Sequence, residues 1–202
     1  LKRLKDIAKG VLRSEKDKKW EELSRILQDK EMFDTQGKRV KLVIFTEHRD
    51  TLNYLINRIK TLIGRNEAVV TIYGGMGRED RRKVQESFTQ DKNVQILVAT
   101  DAAGEGINLQ RAHLMVNYDL PWNPMRVEQR IGRIDRYGQK SEKVVIYNLI
   151  TPGTVDYEIY ERCLLRIGVF KQALGGSEEV LGRITREIRS ISESTLLSES
   201  EM

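Results

Sequence analysis

Apolar residues along this chain follow two alternating rhythms. Short runs such as Leu42-Val43-Ile44-Phe45 and Ile96-Leu97-Val98-Ala99 are continuously apolar, the pattern of a strand covered on both faces. Runs of this kind predict strands at Lys41–Thr46, Ala68–Tyr73, Gln95–Thr100, His113–Tyr118 and Lys143–Leu149. Between them apolar residues recur at helical spacing, predicting amphipathic helices over Arg49–Ile63, Arg78–Thr89 and Met125–Tyr137. Strand–helix alternation implies an α/β fold, a parallel sheet flanked by helices.

The flanks read differently. In residues 1–36, Trp20, Leu23, Ile26 and Leu27 recur every three or four positions among many charges, a helical lead-in. A loop around Gly37, Asp34–Lys38, joins it to the sheet region at 37–153. Beyond Thr151-Pro152-Gly153, residues 154–193 predict two further helices, Val155–Leu174 and Glu178–Ile191. Gly175-Gly176 separates them and offers the left-handed conformation that ends helices. Residues 194–202 are polar and acidic, an expected flexible tail. Opening at Leu1 within a charged helical pattern, the chain reads as a piece of a longer protein.

Composition narrows the chemistry by exclusion. The chain has 202 residues, 39% hydrophobic and 32% charged, with a formal net charge of +5. That surplus permits an anionic partner such as nucleic acid without demanding one. Cys163 is the only cysteine, so no intrachain disulfide and no multi-cysteine zinc site can form. His48 and His113 have no second histidine or cysteine nearby, so no metal site is expected. There is no apolar run long enough to span a membrane and no signal peptide. A cytoplasmic location follows as an expectation, with or without association to the nucleoid.

In doubly wound sheets, ligands sit beyond the carboxyl ends of the strands, here the loops after Phe45, Tyr73, Thr100 and Tyr118. Within Gln129–Gln139, Arg130, Arg133 and Arg136 follow at three-residue spacing, which places them on one helical face. Arginines so spaced are ordinarily a solvated stripe. Here glycines and glutamines stand among them, and a guanidinium cluster suits bidentate contact with phosphate. After Ile96–Ala99, Thr100-Asp101-Ala102-Ala103-Gly104-Glu105-Gly106-Ile107-Asn108 carries two glycines that allow close backbone approach to a ligand. Alone, such a pair marks only a tight turn.

Together these segments resemble the C-terminal RecA-like lobe of the superfamily 2 helicases. Gln129-Arg130-Ile131-Gly132-Arg133-Ile134-Asp135-Arg136 resembles motif VI. That resemblance assigns Arg133 and Arg136 as catalytic arginine fingers reaching ATP across an inter-lobe cleft. The segment after Thr100 resembles motif V, which implies Thr100 at a nucleic-acid phosphate, Asn108 near the ATP ribose, and Glu105 and Gly106 lining the ATP side. Val43-Ile44-Phe45-Thr46 resembles motif IV, with Thr46 available to phosphate, and Gly74 is expected to lie near nucleic acid. Arg81 and Phe88, spaced from Gly74 as in these lobes, read as a helix anchor and a core residue. Trp122-Asn123-Pro124, Gly106-Ile107-Asn108-Leu109-Gln110 and Arg136-Tyr137-Gly138-Gln139 are similar to Swi/Snf-type proteins. Arg130-Ile131-Gly132 and Asp135 depart from eukaryotic remodellers, so a prokaryotic Swi/Snf-like translocase is the better match.

The chain has neither a Gly-x-x-x-x-Gly-Lys-[Ser/Thr] phosphate loop nor an acidic Asp-Glu-x-[His/Asp] box, the parts that hold triphosphate and magnesium in such motors. The resemblance therefore implies that ATP with magnesium is held mainly by an N-terminal lobe of the same parent chain. This fragment is expected to be a monomer that is inert alone, with DNA, or else RNA, as its track. The alternative is a binding module that kept the lobe's fold and hydrolyses nothing.

Overall fold

The computed structural model describes residues 17–101 and 107–151, with Arg3, Tyr157, Tyr160 and Glu161. Five strands, β1 (Leu42–Thr46), β2 (Val69–Ile72), β3 (Ile96–Thr100), β4 (Leu114–Asn117) and β5 (Val145–Asn148), form one sheet. Their order is β2-β3-β1-β4-β5 and every pairing is parallel. Register is fixed at the centre, where Leu42 lies opposite both Ile96 and Leu114, and Thr46 opposite Thr100. This is the parallel sheet expected from the alternating pattern, and the RecA-like arrangement that the resemblance implied.

Successive side chains of a strand point to opposite faces, and β1 supplies both layers. Leu42 and Ile44 join Ile96, Val98, Leu114 and Val116 in one apolar cluster, covered by α1 (Lys18–Gln28) and α2 (Arg49–Ile63). Val43 and Phe45 turn the other way, onto Leu97, Ala99, Met115, and Phe88 of α3 (Arg78–Gln90). Both Phe45 and Phe88 are fully buried, each contributing about 1.5–3 kcal/mol relative to exposure. Phe88 is thus the core residue its spacing suggested, and Arg81 anchors the start of α3 by donating Nη2 to the Met76 carbonyl at 3.3 Å.

The lead-in helix belongs to this core. Leu23, Leu27 and Met32 are wholly buried in the same cluster as the sheet. Asp17 caps α1 by accepting the Trp20 amide, and its other oxygen accepts the Tyr54 hydroxyl of α2 at 2.6 Å. Burial and that carboxylate push the Tyr54 phenol up to about 12.

Observed strands are one to three residues shorter than the apolar pattern predicted, because outermost residues such as Lys41 and Tyr73 belong to loops. Helix α2 has the predicted bounds and closes on Gly64 at φ 70. The predicted Met125–Tyr137 helix is α4, Pro124–Ile134. Asn123 caps it by accepting the Met125 amide, and Pro124 stands in its first turn, where no amide donor is needed. It stops three residues early, so Arg136 and Tyr137 lie past its end. The cause is Gln139, whose Nε2 donates to the Ile134 and Ala112 carbonyls, within a turn made by Gly138 at φ 97. Glu105, Gly106, Cys163 and the predicted helices after Val155 lie outside the described residues, save Tyr157, Tyr160 and Glu161.

Candidate functional site

The carboxyl ends of the strands are tied together by one buried arginine. Arg130 of α4 is only 1% exposed. Its Nε and Nη2 grip Asp101, just beyond β3, at 2.6 and 2.7 Å. Its Nη1 donates to the Asn117 side chain and to the Asp119 carbonyl, both at 2.9 Å. Asn117 in turn donates to Asn148 of β5 at 2.7 Å. The Asp119 carboxylate accepts the Thr46 hydroxyl and the Glu47 amide. Every strand except the edge strand β2 thus sends a residue into a network centred on α4.

That anchoring corrects the simple stripe of arginines. Arg130 faces inward, Arg133 is half-exposed on the last turn of α4, and Arg136 is exposed beyond the helix. The three side chains occupy three environments, because Arg130 turns into the buried network and Arg136 lies past the end of the helix.

A strap then ties the segment of Asn108 to that of Arg133 and Arg136. The Leu109 amide donates to the Arg133 carbonyl at 3.0 Å. Gln110 Nε2 donates to the Tyr137 carbonyl at 2.7 Å. Asn108 is exposed, and its amide is folded back on Gln110, accepting the Gln110 backbone N–H and donating to its side chain. The two segments that the sequence marks for nucleotide chemistry are therefore held side by side.

The residues expected at nucleic acid divide. Thr46 is fully buried and has given its hydroxyl proton to Asp119. In this arrangement its side chain orients Asp119. Gly74 and Thr100 are brought together, the Gly74 N–H donating to Thr100 Oγ1 at 3.2 Å. The Gly74 amide is consequently turned inward, and Thr100, itself only 4% exposed, keeps its own hydroxyl proton to donate. Beside them Gly75, at φ 91, makes the turn after β2, and Arg49 lies 4.2 Å over the Tyr73 ring.

Comparison with known proteins fits this geometry. The helicase conserved C-terminal domain family matches residues 18–138. The chain belongs to that family. A Bacillus subtilis protein named as the uncharacterized ATP-dependent helicase YqhH is 42% identical over 145 residues, covering 71% of this chain and 25% of that protein. The DNA excision repair protein ERCC-6-like of Bos taurus is 33% identical over 135 residues, 66% of this chain and 10% of that one. Among solved structures, the C-terminal part of the Fun30 ATPase domain matches with a TM-score of 0.61 and 26% identity, covering 71% of this chain and 44% of that chain. The E. coli DEAD-box protein SrmB matches at 0.51 and 25% identity, over 64% of this chain and 70% of that one. The chain thus spans a quarter or less of the length of these two sequence relatives. As a member of the helicase C-terminal domain family, it has relatives named for ATP-dependent action.

Within this lobe, carboxylates gather at the strand ends around Arg130. Glu47 faces Asp119 and Asp101 from a partly buried position; desolvation first, then those two carboxylates, push its pKa up, against a smaller pull from Arg130 and His48. Among the described residues no cluster of acids, histidines or cysteines is arranged to hold a metal. Sequence patterns did not single out Asp101, Asn117 and Asp119 as Arg130's partners, nor Gln110 and Gln139 as the strap and the cap. The available signal was polar residues interrupting apolar strand ends, since a buried polar group has to find a partner.

Proposed function

We propose that this chain is the second motor lobe of a nucleic-acid-dependent ATPase, lending Arg133 and Arg136 to ATP bound mainly by an N-terminal lobe. The observation that carries this reading is the strap. It holds Asn108 against the turn bearing both arginines, while the buried Arg130 network fixes α4 beneath them. Arg133 is half-buried and Arg136 exposed, so an anion presented from outside the lobe can reach this turn. That donor set completes a phosphate site and does not form one, consistent with the missing phosphate loop. ATP with magnesium would supply the transferring phosphoryl group. This lobe would stabilise its charge, the part that finger arginines play in phosphoryl transfer.

On this reading the lobe contacts the backbone of DNA, or of RNA, through the Thr100 hydroxyl, the Gly74–Gly75 turn and Arg49. Such contacts are mostly to phosphate and weaken steeply with salt. The isolated chain would hydrolyse no ATP.

In the full-length parent, Arg133→Ala or Arg136→Ala should lower stimulated kcat by roughly 10²-fold or more. Nucleic-acid affinity and melting temperature should stay nearly constant. Arg133→Lys should recover little, because an ammonium lacks the planar fork. Full ATPase activity in both alanine variants would reduce these residues to surface charges and overturn the assignment.

A further inference from the structure

At the other end of the strands, a second cluster of cations surrounds a cavity of about 300 Å³. Its rim carries Lys38, Arg39, Arg65 and Lys92, and no carboxylate lines it. One strand length separates this cavity from the site above, roughly 13 Å along β1 at 3.3 Å per residue. Its walls are built and not incidental. Phe33 and Arg39 pair as an antiparallel bridge, and the Asp34 carboxylate accepts the Gln36 and Lys38 amides, fixing the hairpin between them. Arg39 donates to the Leu27 carbonyl at 2.6 Å and lies 4.7 Å over the Phe33 ring. Arg65 is steadied by Glu67 and Asn93.

At the back of the cavity stands Gln95, only 6% exposed. Its side-chain amide has no hydrogen-bond partner among the described residues. A nearly buried amide without such a partner, opening onto a ring of cations, points to a ligand. Lys38 and Lys92 form no ion pair among the described residues.

We propose that this cavity binds a phosphate group, at a site separate from the one that Arg133 and Arg136 serve. A phosphate offers several acceptor oxygens in a compact volume, which suits the remaining N–H groups of Arg39 and Arg65, two ammonium groups and the Gln95 amide. A peptide carboxylate has two oxygens and would leave most of these donors idle. The phosphate can belong to a free oligophosphate or to a nucleic-acid backbone, and the experiment separates the two.

The 202-residue chain is titrated with inorganic pyrophosphate by calorimetry, and with a short DNA duplex by fluorescence anisotropy, each at low salt. Pyrophosphate should bind saturably and shift the Gln95 side-chain amide resonance in the ¹⁵N spectrum. The double variant Lys38→Glu/Lys92→Glu, changing exposed residues only, should weaken pyrophosphate binding by about tenfold or more with melting temperature unchanged. Arg133→Ala/Arg136→Ala should leave it intact. If the duplex displaces pyrophosphate and is itself weakened by the lysine variant, the phosphate is that of a nucleic-acid backbone. If duplex binding survives that variant, it is a free one. No saturable pyrophosphate binding, or binding that follows Arg133 and Arg136 and ignores Lys38 and Lys92, overturns the proposal. So does a glutamate-rich peptide that binds more tightly than pyrophosphate.

Discussion

Arg130 and Arg133 share a helix and a side-chain chemistry, and burial alone divides their roles. Arg130→Ala should cost about 3–5 kcal/mol of stability in a urea melt, because it strands Asp101 and the Asn117 oxygen away from water. Arg130→Lys should fall between that variant and wild type, one ammonium replacing a fork with four short contacts. Equal melts for Arg130→Ala and wild type would deny the network its structural role. Glu47 behaves oppositely. Its carboxyl titrates above the ordinary glutamate range in the folded lobe, so folding favours its protonated form. Stability from this group is present at acid pH and is lost as pH rises through the raised value. Glu47→Gln should therefore raise the melting temperature at neutral pH, with the gain vanishing toward pH 4.5; a pH-independent difference would show that charge is not the cause. None of this was legible residue by residue. Arginine is seldom fully buried unless paired, and its partners at 101, 117 and 119 are assembled only by the sheet.

For the elements, legibility depended on whether local pattern or distant side chains set the boundary. The central strands were plain because burial on both faces leaves no polar alternation to misread. Helix α2 ended where expected because Gly64 supplies the left-handed residue locally. Helix α4 was drawn too long because its end is set by Gln139 reaching back to Ile134 and across to Ala112. Gln139→Ala should cost about 1–3 kcal/mol by leaving two carbonyls without that donor. It should also slow the parent's ATPase without weakening nucleic-acid binding, since the turn carrying Arg136 loses its clamp. An unchanged ATPase would mean that the turn holds its shape without the cap.

Across the whole molecule, the sequence located the site through topology: the loops after β1, β3 and β4 hold the least ordinary residues, and the sheet brings them together. The strand-end position of Thr46 was legible, whereas its burial against Asp119 was not. Solvent exposure is a property of the assembled network, and no local pattern encodes the Asp119 carboxylate that seals that hydroxyl.

The family match stops at residue 138, yet β5 lies beyond it at Val145–Asn148. This half-buried strand covers the ladder of β4, whose Leu114-Met115-Val116 is buried and apolar. Cutting the chain at the family boundary would leave that ladder open as a template for intermolecular pairing. A version ending at residue 138 should be colloidally unstable, scattering light at concentrations where one ending at 151 stays clear. Equal clarity of the two would show that β4 is protected without its neighbour. If only the shorter version scatters, β5, beyond completing the sheet, is also its guard against self-association.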